Sequence, residues 1–182
     1  ALSRTLGEGA PLIDALIAGL RANSCTVRGP MSADDARATI VGRASGLVAC
    51  NEDIPVPGIV DALRGRGLDV LTPDDPRWTE RLADVVVGIT GARLAVAQPS
   101  AIALAASPGS PRATSLVPPE HVCVLRTSDV VGAFADAMED IAAGELPSAL
   151  SWIGGPSRTA DLEMITTLGV HGPRAVEVVL VS

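Results

Sequence analysis

The chain has 182 residues, a formal net charge of -7 and 47% hydrophobic residues, enough for one full-sized core and too acidic for a nucleic-acid or anionic-membrane surface. Every one of its 14 Lys-or-Arg positions is Arg, which excludes a Schiff-base lysine and a P-loop, and the absence of Tyr excludes phenol acid–base chemistry. With Phe134, Trp78 and Trp152 as the only aromatics, the core has to be aliphatic.

Residues 1–10, ALSRTLGEGA, read as a loose lead-in to a single α/β domain over 11–182. A helix is predicted over about Pro11 to Arg21, with Pro in its first turn, and CTVR follows as a short strand. Ser32 with Asp34 and Asp35 predicts the start of a helix that runs to about Val41, because Ser caps free N–H groups and carboxylates suit the positive helix end. GLVAC reads as a buried strand, Pro57 to Arg64 as a helix stopped by Gly65 and Gly67, and LDVLT as the next strand. This alternation predicts a mixed, mostly parallel sheet with flanking helices. After a short helix near Trp78 to Ala83, the apolar runs DVVVGITGARLAVA, AIALAA and HVCVLR lie close together, as strands joined by tight loops, some of them antiparallel. Thr127 or Ser128 is expected to cap a helix over DVVGAFADAMEDIAAG that Gly144 ends, and SALSWIGG and AVEVVLV read as strands.

No run approaches the ~20 apolar residues of a spanning helix. PLIDALIAGL carries Asp14 and lacks a basic flank, so it does not read as a signal peptide, and the cytoplasm is the expected location. Cys25, Cys50 and Cys123 show no CxxC spacing and read as small buried hydrophobes, so no metal or cofactor is expected.

The least ordinary stretch is GGPSRTADLEMITTLGVHGPR, Gly154 to Arg174. It reads as a Gly-rich turn and a short helix closed by Gly169, with Ser157 or Thr159 as cap. On that reading Gly155, Ser157, Arg158, Thr159, His171 and Arg174 line a pocket for a small carboxylate or phosphate, with Asp161 as a possible addition. A purely structural reading of the same residues stays open: Ser157 and Asp161 cap, Arg158 and Arg174 lock the loop, and His171 satisfies backbone groups. His121, after Pro118 and Pro119, could join His171 at that pocket, but a buried, hydrogen-bonded His is the plainer reading. No residue is assigned a catalytic role.

The segment from Gly155 to Arg174, followed by AVEVVLV, resembles the C-terminal signature of the LUD-domain family, which includes the C-type proteins of lactate utilization. VGITGARLAVA and SLVPPEHVCVL resemble two further blocks of that family, so the likeness runs from about Asp84 to Val181. It implies a fold similar to the NagB, ribose-5-phosphate isomerase and CoA-transferase group, and a part in oxidising L-lactate to pyruvate beside iron–sulfur partner proteins. In the family pattern a Glu follows AVA, whereas this chain has Gln98, whose amide cannot serve as a base or a carboxylate nucleophile. The expectation is therefore an accessory or anion-binding subunit. An enzyme of acyl- or CoA-transferase or sugar-phosphate isomerase type is the alternative, resting on fold analogy.

Overall fold

The computed structural model describes residues 9–160, 166–168 and 171–182. Its first half alternates helix and strand as the sequence predicts. α1 (Ala10–Ala22) starts with Pro in its first turn and buries Leu12, Ile13, Leu16 and Leu20 along one face, then leads into β1 (Thr26–Met31). Ser32 caps α2 (Ala33–Arg43) by accepting the Asp35 N–H at 3.1 Å. β2 (Leu47–Cys50), α3 (Ile59–Gly65), β3 (Asp69–Leu71) and a short α4 (Trp78–Arg81) follow. The second half runs β4 (Val87–Gly91), β5 (Leu94–Val96), β6 (Ala101–Ala106), α5 (Ala113–Leu116), β7 (Glu120–Arg126) and β8 (Val130–Val131). It closes with α6 (Phe134–Ala143), β9 (Ala149–Ile153), β10 (Arg158–Ala160), β11 (Thr166–Leu168) and β12 (Ala175–Val181).

Six strands form a fully parallel sheet in the order β1-β12-β7-β4-β2-β3. Its central strands are apolar on both faces because helices or strands cover both. Val122, Val124, Val179 and Val181 face α2 and α3, where Ile40, Ile59 and Leu63 close one core. Cys123, Leu125, Val178 and Leu180 face α1 and the buried residues Ala95, Ile102 and Leu104 of a second sheet. That second sheet, ordered β8-β5-β6-β9, pairs β5 with β6 and β6 with β9 antiparallel, and α6 covers its outer side through Ala137 and Ile141. The antiparallel strands expected from the sequence therefore form a layer of their own beside the parallel sheet. Glu177 of β12, 5% exposed, is held by the guanidinium groups of Arg28 and Arg43, and Arg43 also reaches Glu120 at 2.7 Å. A carboxylate buried in a sheet needs such partners.

Two predicted helices are corrected. Thr127 and Ser128 do not cap α6. They begin a 3-10 turn, and Val130 and Val131 then pair with Ala95 and Val96, so the helix starts at Phe134 with the Asp136 carboxylate accepting the Ala133 N–H at 3.0 Å. Adjacent β-branched residues favour that extended pairing over a first helical turn. The helix expected after Ser157 is replaced by the antiparallel pair β10 and β11, in register Arg158 with Leu168 and Ala160 with Thr166. Thr159, Thr166 and Thr167 are β-branched and suit strands. Asp161 lies outside the described residues.

Candidate functional site

In parallel sheets ligands are met at the carboxyl ends of the strands. There a cleft of about 490 Å³ opens between the six-stranded sheet and the second sheet, lined by Asp53, Arg93, Ser110, Arg126, Asp129 and Asp140 among others. Apart from Asp140 of α6, these side chains come from the ends of four strands or the connections that follow them. Asp53 follows β2, Arg93 links β4 to β5, Ser110 follows β6, and Arg126 ends β7 with Asp129 just beyond it.

The floor is tightly pinned. Asn51 donates its N–H to Ile89 O at 3.0 Å and accepts from the Thr114 hydroxyl at 2.5 Å, and Glu52 N–H reaches Gly109 O at 2.9 Å. Gly91 donates its N–H to the Asp53 carboxylate at 3.0 Å. A Cβ at Gly91 would stand 2.1 Å from Asp53 O, so only glycine lets these two backbones meet. Arg93 pairs with Asp140 at 2.8 Å, whereas the nearest carboxylate oxygen to Arg126 is 3.8 Å away on Asp129. Arg126 is exposed, and its guanidinium keeps donors available for a planar anion.

The cleft narrows inward to Thr90, Asn51 and Ser115. Thr90 Oγ1 lies 2.9 Å from His121 Nε2, and His121 is 1% exposed with no partner at Nδ1. Desolvation pushes its pKa down to about 4, so the imidazole is neutral. His121 is thus the buried, hydrogen-bonded histidine, whereas His171 is exposed. Burial pushes the Cys25 thiol up to about 11 and those of Cys50 and Cys123 up to about 12, and all three are free and buried.

The residues singled out from the sequence gather at the opposite end of the sheet. Arg174 donates its N–H to Pro119 O at 2.8 Å, at the start of β12 and β7, and Ser157 N–H reaches Pro173 O at 2.9 Å. Ser157, Arg158, His171 and Arg174 thus sit around the amino edge, and among the described residues no helix N-terminus points at them. Arg158 donates to Asn23 O at 3.0 Å and to the Ser24 hydroxyl, which clamps the turn between α1 and β1. A Cβ on Gly155 would lie 2.5 Å from Asn23 O, so this glycine admits a neighbouring chain and not a ligand. Gln98 is exposed at the tip of the β5–β6 hairpin, remote from Leu94 at the cleft end of β5. Beside it Ser100 takes a left-handed φ of 65° and its carbonyl approaches Gly154. The side chain of Thr159 is outside the described residues.

Asp53, Arg93 and Arg126 went unread in the sequence because each is a single charged residue in an ordinary loop. The one local signal was NEDIP, a polar run immediately after a buried strand.

Stacked parallel and antiparallel layers around a polar cleft define an α/β domain of two packed sheets. The chain belongs to the LUD domain family, whose profile matches residues 14–181. It is 35% identical over 119 residues to Lactate utilization protein C of Deinococcus radiodurans, covering 64% of this chain and 56% of that one. To Lactate utilization protein C of Bacillus subtilis it is 35% identical over 101 residues, 53% of this chain and 42% of that one. The matched segment thus spans about half the length of these relatives. A crystal structure of a DUF162 family protein from Deinococcus radiodurans superposes with a TM-score of 0.72 at 23% identity, covering 95% of this chain and 98% of that chain, which establishes the shared fold. Among the described residues no helix is long and apolar enough to cross a membrane.

Proposed function

We propose that this protein takes part in lactate utilization as an accessory, ligand-binding subunit that receives a small carboxylate, lactate or pyruvate, in the carboxyl-edge cleft. The observation that carries this reading is Arg126, exposed at the end of β7 and paired only at 3.8 Å with Asp129, facing a cleft that also holds Arg93. The names of the relatives support the pathway. Conversion of lactate to pyruvate releases two electrons and two protons, and the side chains lining the cleft carry no redox group. The reading therefore assigns the electrons to partner proteins of iron–sulfur type, with this chain in the cytoplasm beside them.

A second reading keeps the anion at the amino edge. The bond from Ser157 N–H to Pro173 O favours it, since it brings Arg158 beside the exposed His171 and Arg174. Titration calorimetry with L-lactate and pyruvate separates the two. Arg126→Ala should abolish binding while Arg174→Ala leaves it intact; the reverse outcome selects the amino edge, and no binding to the native chain overturns both. Tagged protein drawn from lactate-grown cells should bring down iron–sulfur proteins. If the chain alone instead turns over an acyl-CoA or a sugar phosphate, and Asp53→Asn stops it, the protein is an enzyme, with Asp53 as the carboxylate placed for the task.

A further inference from the structure

We infer, resting on the carboxyl-edge reading above, that the inner end of the cleft is a subsite for one hydroxyl oxygen of the ligand, so that the cleft selects a 2-hydroxy acid over the matching 2-oxo acid. The inner end holds about 10 Å³, room for one water-sized group. Asp53 and Ser110 line both this end and the outer cleft, which makes them one continuous space.

Four polar side chains from separate parts of the chain meet there: Asn51 after β2, Thr90 of β4, Ser110 after β6 and Ser115 of α5. Each is at most 6% exposed. Part of their bonding lies within the protein. Asn51 Oδ1 accepts from Thr114, Thr90 Oγ1 meets His121 Nε2, and the Ser115 hydroxyl donates to Arg112 O at 2.9 Å. Two donors are left over. Among the described residues the Asn51 side-chain NH2 and the Ser110 hydroxyl have no hydrogen-bond partner, yet neither is fully enclosed. Donors set this deeply are costly to leave unpaired, so their partner comes from what enters the cleft.

Asp53 supplies the complementary acceptor. One of its carboxylate oxygens takes the Gly91 N–H at 3.0 Å, and among the described residues the other has no hydrogen-bond partner. An alcohol oxygen at this point accepts from the Asn51 amide or the Ser110 hydroxyl and donates to Asp53. A keto oxygen only accepts, so it meets the Asp53 oxygen with no proton between them. An acid with only hydrogen at C2 leaves the two donors unpaired. The rival occupant is a water, which would make the same bonds and give no discrimination.

Titration calorimetry of the full chain with L-lactate, pyruvate and propionate, which differ only at C2, tests the subsite. L-lactate should bind at least about tenfold more tightly than either of the others. Ser110→Ala removes a hydroxyl that has no partner in the protein, so it should unfold at the native temperature. Its affinity for L-lactate should fall at least about threefold while that for propionate is unchanged. Asp53→Asn should bring L-lactate and pyruvate to equal affinity, because an amide can donate to a keto oxygen. Equal binding of L-lactate and propionate, still abolished by Arg126→Ala, overturns the subsite and leaves the carboxylate reading standing, with a water at the inner end. A native chain that binds none of the three overturns both. Tighter binding of pyruvate than of L-lactate, or an L-lactate preference that survives both substitutions, also overturns the subsite.

Discussion

His121 shows how a single residue of this chain combines burial with chemistry. Its ring is enclosed, bonded to Thr90 and neutral, with a folded pKa of about 4 against 6.5 for a free histidine. As the pH falls, the unfolded chain takes up the proton first. The stability that the neutral ring confers is therefore complete above about pH 6.5 and is lost as the pH falls toward 4, by roughly 3 kcal/mol. Urea unfolding at pH 7 and at pH 4 should show the native chain losing more stability than His121→Gln by about that amount; equal losses would mean that the ring is protonated in the fold. The buried, bonded state of His121 was readable after Pro118 and Pro119, but its partner was not. Thr90 is 31 positions away, and only the parallel pairing of β4 with β7, which sets His121 opposite Gly88, brings Thr90 within reach as a diagonal neighbour.

Among the elements, the stretch from Gly154 to Arg174 departs furthest from its sequence pattern. Its apolar residues suggest one face of a helix, yet β-branched threonines suit strands, and Arg158–Ala160 pairs antiparallel with Thr166–Leu168. Arg158 itself stands in β10 and acts on the chain, as the clamp on Asn23 and Ser24. Arg158→Ala should cost about 1 kcal/mol and lower the melting temperature by roughly 2–4 °C. Gln98→Ala, at an exposed hairpin tip, should shift it by less than about 0.5 kcal/mol. Thermal unfolding followed by circular dichroism measures both. A fall for Gln98→Ala as large as that for Arg158→Ala would show that the amide is engaged.

At the scale of the molecule, β12 is the strand on which the fold closes. It lies between β1 and β7, so residues from opposite ends of the chain, Thr26 and Glu177, stand side by side. Val176, Val178, Val179 and Leu180 are at most 3% exposed and serve both main cores. Removing residues 175–182 would strip the only sheet neighbour from the edge strand β1 and one neighbour from the buried β7, and such parallel edges have no use in water. The shortened chain should show no cooperative urea transition and no near-ultraviolet circular dichroism. A cooperative transition would place the folding unit elsewhere, in the second sheet and α6.

The sequence by itself determined the aliphatic core, the alternation of helix and strand through β3, the Ser32 cap, the inert cysteines and the family. All of these depend on residue type or on spacing within about ten positions, where the periods of helix and strand are written directly. Tertiary structure decided that the antiparallel strands form a second layer, that Ser157, Arg158 and Arg174 lie at the amino edge of the sheet, and that Asp53, Arg93 and Arg126 share a cleft at the carboxyl edge. Strand order and direction decide which loops meet. They follow from burying two faces of a sheet at once, a requirement placed on the whole chain and on no local segment of it.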